Sequence, residues 1–169
     1  TSKVPRGRIQ EQLISPQPPE PFLEFNATTN LPTSSWFFCL KTESNFRARA
    51  KTPRKFFLGI IPAGRISSAY GYAQALNGTW DWYKKDTGNR SASRTNFYDA
   101  TDFIGWYVSQ TNKKLKISKS NVYRQYLAYH QGHAGYASGR YKSSEAIMAV
   151  AKRTASTASL FDKQLKNCN

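Results

Sequence analysis

Acidic residues are scarce in this chain, with 10 Asp plus Glu among 169 residues against 25 Lys plus Arg. The resulting formal charge of +15 points to a polyanionic partner or an anionic surface, and nucleic acid, anionic lipid and bacterial cell wall all qualify. Cysteine is limited to Cys39 and Cys168, far apart and without C-x-x-C or Cys/His ligand spacing. That argues against a zinc site and leaves two readings, one disulfide or two inert thiols. His130 and His133 are the only histidines; they flank Gly132 with no acid beside them, which is poor ligand geometry, so no metal and no cofactor are expected. Ser44 has no His and Asp pattern around it, which argues against a serine nucleophile. No apolar run approaches the ~18 residues of a membrane span, and no signal peptide heads the chain, as in a mature fragment that follows a removed signal.

What is present suits one globular domain: 39% hydrophobic residues, 14% of all residues aromatic, and no internal repeat. Six of the eight prolines fall before residue 34 with little apolar periodicity, so residues 1–33 read as an extended Pro-rich arm or linker and residues 34–169 as the domain. Ser34 or Ser35 can cap a helix from Trp36, and Pro53 stops any continuation. The run Phe56–Gly64, broken by Gly and Pro, reads as strand or loop. After turn chemistry at Ser67–Ala75, a helix is expected with Thr79 as N-cap and Gly88 as stop. Apolar spacing predicts a second over Tyr98–Gln110, with Asp99 and Asp102 as ordinary partners of its dipole. A third should start after Ser120 or Asn121 and end at Gly132, followed by a Gly-rich loop over His133–Tyr141. The last begins near Ser143 or Ser144. The class is therefore mainly α, with a small irregular or β segment and an arm outside the core.

Glu43 closes the segment from Trp36 and has no acidic company: from Ser44 to Trp80 there is no Asp or Glu, while Arg47, Arg49, Lys51, Arg54, Lys55 and Arg65 crowd the same interval. A carboxyl partly desolvated behind Trp36, Phe37, Cys39 and Leu40 is the kind of group whose pKa rises until it can donate a proton near neutral pH. The bland alternative is a solvated Glu at a helix end. Most glycosidases use two carboxyl groups about 5 to 9.5 Å apart. A single acid can still cleave a glycosidic bond if it protonates the leaving oxygen and then, as base, helps a substrate hydroxyl attack the anomeric carbon.

Three ordered pieces, E-S-N-F at 43 to 46, A-Y-G-Y-A-Q-A at 69 to 75 and L-A-Y-H-Q-G at 127 to 132, resemble the soluble lytic transglycosylase (SLT) family of the lysozyme-like superfamily. The resemblance spans roughly residues 34–140. It implies a lysozyme-like domain in which Glu43 is the catalytic acid/base, Tyr72 and Gln74 line the sugar groove and Tyr129 supports Glu43. Ser44, which would hydrogen-bond near Glu43, His130 and Tyr136 complete the candidate substrate-binding set. Two departures stand out: the family's usual Gly-Leu-Met-Gln is Gly71-Tyr72-Ala73-Gln74 here, and its usual Tyr-Asn-x-Gly is Tyr129-His130-Gln131-Gly132. The resemblance further implies a peptidoglycan glycan strand as partner, a 1,6-anhydro product formed by the muramic acid 6-hydroxyl, and a periplasmic or cell-envelope location in a bacterium. A monomer is expected, with envelope machinery or an inhibitor protein as further partners.

Two competing readings remain open. Asp81, Asp86, Asp99 or Asp102 could fold back as a second carboxylate and make a hydrolytic lysozyme. Alternatively, the aromatics Tyr70, Tyr72, Trp80, Trp82, Tyr83, Tyr129, Tyr136 and Tyr141, combined with the charge, could form a non-catalytic platform for the cell wall or for single-stranded nucleic acid. Scattered basic residues and the lack of a nucleic-acid motif disfavour nucleic acid.

Overall fold

The computed structural model describes residues 47–51, 54–57, 61–65 and 67–167. The arm, the helix expected from Trp36, Glu43, Ser44, Cys39 and Cys168 lie outside the described residues. Within them the protein is mainly helical. A short antiparallel hairpin comes first, β1 (Arg54–Phe57) and β2 (Ile61–Arg65), so the Gly/Pro-broken apolar run is a strand pair. Four helices follow: α1 (Asn77–Thr87), α2 (Phe97–Leu115), α3 (Val122–Ala137) and α4 (Glu145–Asn167), with a 3₁₀ turn at Arg140–Ser143 before the last.

The centre is α2. Ala100, Phe103, Ile104, Tyr107, Val108 and Thr111 recur at helical spacing and are all buried, which drives one stripe of the helix inward. Its start is fixed by Asn96, whose side chain accepts from the N–H groups of Tyr98 and Asp99 at 2.9 and 3.2 Å. Lys116, in the left-handed conformation, ends it after Lys113 and Lys114 have met the negative helix end. The helix therefore runs five residues past the Gln110 expected from spacing alone, because the basic turn continues the same solvent face. Trp80 and Tyr83 of α1 pack on Phe103 with ring centroids 5.0 and 5.4 Å away, and Tyr126, Leu127 and Ala128 of α3 close the core from the other side. α4 lays Ala151 and Ala158 against it, and its first turn is capped by the Ser144 hydroxyl accepting from Ile147 N–H.

Three expectations need correction. Helix α1 starts at Asn77, before Thr79: Leu76 at the cap position offers no acceptor, and the Ser68 hydroxyl, nine residues back, takes the Asn77 N–H at 3.1 Å. Gly88 does stop it, at φ 74°. Asp102 is no mere dipole partner, since it accepts the Tyr83 hydroxyl at 2.6 Å. Helix α3 is interrupted at Gly132 (φ 71°, ψ 161°) but resumes to Ala137, so His133–Ala137 is helical where a loop was expected. The interruption is tolerated because the far side is anchored: His133 Nε2 shares a 2.9 Å hydrogen bond with the Thr111 hydroxyl, and its ring stacks on Tyr107 at 4.6 Å.

Candidate active site

The site is built on the tight turn of residues 70 to 75. Tyr70 N–H donates to Ala75 O and Gln74 N–H to Gly71 O, each at 3.3 Å, which folds the segment back on itself. Gly71, at φ 81°, is pressed against the loop before α2, where an added Cβ would lie 2.1 Å from the Arg94 carbonyl oxygen; no other residue fits there. Tyr72 N–H donates to that same oxygen at 3.1 Å.

Gln74 takes the left-handed conformation (φ 47°), rare for a residue with a side chain. The local cost is offset by its amide, whose two hydrogens go to Gly71 O at 2.9 Å and Ala50 O at 3.0 Å. With both N–H groups engaged, Gln74 presents Oε1, an acceptor, to any ligand. From across the domain the Tyr129 hydroxyl on α3 donates to the carbonyl of Ala73, tying the turn to the helix.

Between the turn and α3 lies a cavity of about 470 Å³, within the range of small-ligand sites. Gln74, Tyr129, His130 and Gln131 supply its polar edge, while Phe103 and Tyr107 form the floor. The floor was not legible in the sequence, because a helix residue facing a cavity has the same spacing as one facing the core. Burial raises the Tyr107 phenol to about 12, so it stays protonated, and its hydroxyl reaches Ala128 O at 3.4 Å. Burial, with the nearby Lys114 charge, lowers the His133 pKa.

Of the sequence-derived candidates, the structure brings Gln74, Tyr129 and His130 to this cavity. Tyr72 and Tyr136 stand outside its lining: Tyr72 packs edge-on against Phe97, and Tyr136 stacks on Tyr141 at 5.0 Å. Glu43 and Ser44 lie beyond the described residues. Among those that are described, no Asp or Glu lines the cavity. The four aspartates weighed as a second carboxylate are engaged elsewhere. Asp81 pairs with Lys84 at 3.2 Å, Asp86 accepts from Trp106 Nε1 and Gln110 Nε2, Asp99 accepts from Ser93 N–H, and Asp102 from Tyr83.

The profile of the transglycosylase SLT domain family matches residues 20–168, nearly the whole chain. The protein belongs to this family. No curated protein and no solved structure matches it. As an SLT domain it is lysozyme-like in fold, and members of the family are generally lytic transglycosylases that act on peptidoglycan. Among the described residues, no helix is long and apolar enough to cross a membrane.

Proposed function

We propose that the protein is a peptidoglycan lytic transglycosylase that cleaves the β-1,4 bond between N-acetylmuramic acid and N-acetylglucosamine and leaves a 1,6-anhydromuramic end. The observation that carries this reading is a cavity in an SLT domain that borrows no carboxylate from the described residues and has all four nearby-helix aspartates committed to structural partners. A two-carboxylate hydrolysis needs a second acid beside the first. Glu43 acting alone fits the lining better: as acid it protonates the glycosidic oxygen, and as base it then takes the proton of the muramic 6-hydroxyl as that oxygen attacks the anomeric carbon. The bond between the anomeric carbon and the leaving oxygen breaks, the new intramolecular C–O bond forms, and no water is consumed.

On this reading Gln74 Oε1 accepts a hydrogen bond from a sugar hydroxyl or acetamide N–H, and the Tyr129–Ala73 link holds the turn that carries it. His130 adds to the polar edge of the cavity, and Ser44 is the proposed hydrogen-bonding neighbour of Glu43. The natural setting is the bacterial envelope, where the chain's +15 charge would hold it on carboxylate-rich wall material. Mass spectrometry of digested sacculi tests the reaction: anhydro-muropeptides are expected, whereas reducing ends would make the protein a lysozyme and absence of products a binding module.

A further inference from the structure

Behind the turn of residues 70 to 75 lies a second cleft, of about 460 Å³. The two hollows share one segment: Ala69, Ala75, Leu76 and Thr79 face the first, and Tyr70, Asn77 and Trp80 face the second. Arg94, Ser93 and Thr95 form the opposite wall of the second cleft. Its cations outnumber its acids, because the one carboxylate in the lining, Asp81, is paired to Lys84, leaving Arg94 uncompensated there.

Arg94, half-buried, is held through both its backbone and its side chain. Its backbone oxygen accepts from Tyr72 N–H, its Nη1 donates to Ser68 O at 3.3 Å and Ala75 O at 3.0 Å, and its guanidinium lies over the Tyr70 ring at 5.3 Å. Lys51 Nζ approaches the same ring at 5.5 Å and adds positive charge. A guanidinium has five N–H groups. Nη1 spends both of its own on carbonyls, and neither Nε nor Nη2 donates to any described residue. What remains is the side-on Nε/Nη2 edge, the geometry that receives a carboxylate through two parallel hydrogen bonds. The carbonyls and the tyrosine fix this edge in advance, so a ligand meets a preorganised donor pair.

We propose that this cleft binds a carboxylate of the peptide branch of the glycan strand, with the Arg94 Nε/Nη2 edge as its receptor. The proposal rests on the peptidoglycan reading above and deepens it: the sugar chain would occupy the first hollow while its acidic peptide reaches around the 70–75 turn to the second. Ser93, Thr95 and Asn77 supply hydroxyl and amide groups for the peptide backbone.

The test uses the whole chain and two soluble probes, the tripeptide L-alanyl-γ-D-glutamyl-diaminopimelate and its fully amidated form, with binding followed by NMR of backbone amides and arginine Nε–H groups. Saturable shifts at Arg94 Nε–H and at Ser93, Thr95 and Asn77 are expected for the acid, with affinity lower by at least about tenfold for the amide, since the charge-assisted pair is lost. Arg94→Lys, which keeps the charge but not the fork, should weaken the tripeptide by a similar factor. Equal binding of acid and amide, or shifts spread over surface lysines without saturation at Arg94, overturns the proposal. If Arg94→Lys does not fold, the acid-against-amide comparison on the wild-type protein decides alone. The same preparation is scored on sacculi for anhydro products: cleavage without binding at Arg94 refutes the peptide site and leaves the enzyme reading intact, and binding without cleavage does the reverse.

Discussion

The hydroxyl of Tyr129, midway along α3, donates to the backbone carbonyl of Ala73, 56 residues earlier in the chain. That contact couples a core helix to the turn on which Gln74 sits in a left-handed conformation. Tyr129→Phe removes the donor while keeping the ring that packs on Tyr107 at 5.1 Å. It should cost about 1–2 kcal/mol in a thermal or denaturant melt and, by loosening the turn, lower turnover of sacculi by between about 10- and 100-fold. Unchanged turnover would show that the link does not position the site.

Gln74 carries the complementary prediction. Gln74→Glu puts carboxylate oxygens against the carbonyls of Gly71 and Ala50, which now receive both amide hydrogens. The loss should be about 1–3 kcal/mol or more at pH 7, and it should shrink at pH 4, where a protonated Glu regains one donor. A melt series of both proteins at the two pH values checks the sign.

Two glycines should fail differently. Gly132→Ala meets open space, so its cost is that of a backbone conformation open to little but glycine, about 1–3 kcal/mol. Gly71→Ala adds a collision with the Arg94 carbonyl oxygen and should destabilise clearly more. Equal melting temperatures for the two variants would contradict the close approach of Gly71 to Arg94.

His133 gives stability a pH dependence. Its ring is packed between Thr111, Tyr107 and Trp82, with Lys114 over the Trp82 ring at 4.0 Å, so burial and a like charge depress its pKa below the ordinary 6.5. The folded state therefore binds the proton less readily than the unfolded chain, and stability is full above pH ~6.5 and falls as pH drops towards the lowered folded value. The melting temperature should decline more between pH 7.5 and 5 in the wild type than in His133→Gln; parallel curves would contradict the assignment.

Much of this fold was legible in the sequence where local chemistry and burial agree. Asn121 and Ser144 cap helices as their side chains suggest, Gly88 stops α1, and the spacing of Phe103, Ile104, Tyr107 and Val108 marks the core stripe of α2. Legibility failed where distant residues decide. Nothing local told that Ser68 would cap α1, or that Thr111 and Tyr107 would hold the helix together beyond Gly132. Gln74, Tyr129 and His130, named from a family pattern, line the cavity, whereas Tyr107 looked like any core residue and Arg94, in the second cleft, like one more charge in a polar loop. The placement of Arg94 is set by partners at Ser68, Tyr70 and Ala75, far off in sequence.

In the proposed reaction one carboxyl, that of Glu43, moves both protons. The direct measurement is the yield of anhydro-muropeptides from sacculi treated with Glu43→Gln, beside Asp99→Asn and Asp102→Asn, whose carboxylates serve Ser93 N–H and the Tyr83 hydroxyl. The expected result is a fall of about 10²- to 10⁴-fold for Glu43→Gln with its melt unchanged, and near wild-type yields for the two aspartate variants. Near wild-type yield from a folded Glu43→Gln protein, or a collapse in either aspartate variant without loss of stability, would contradict it.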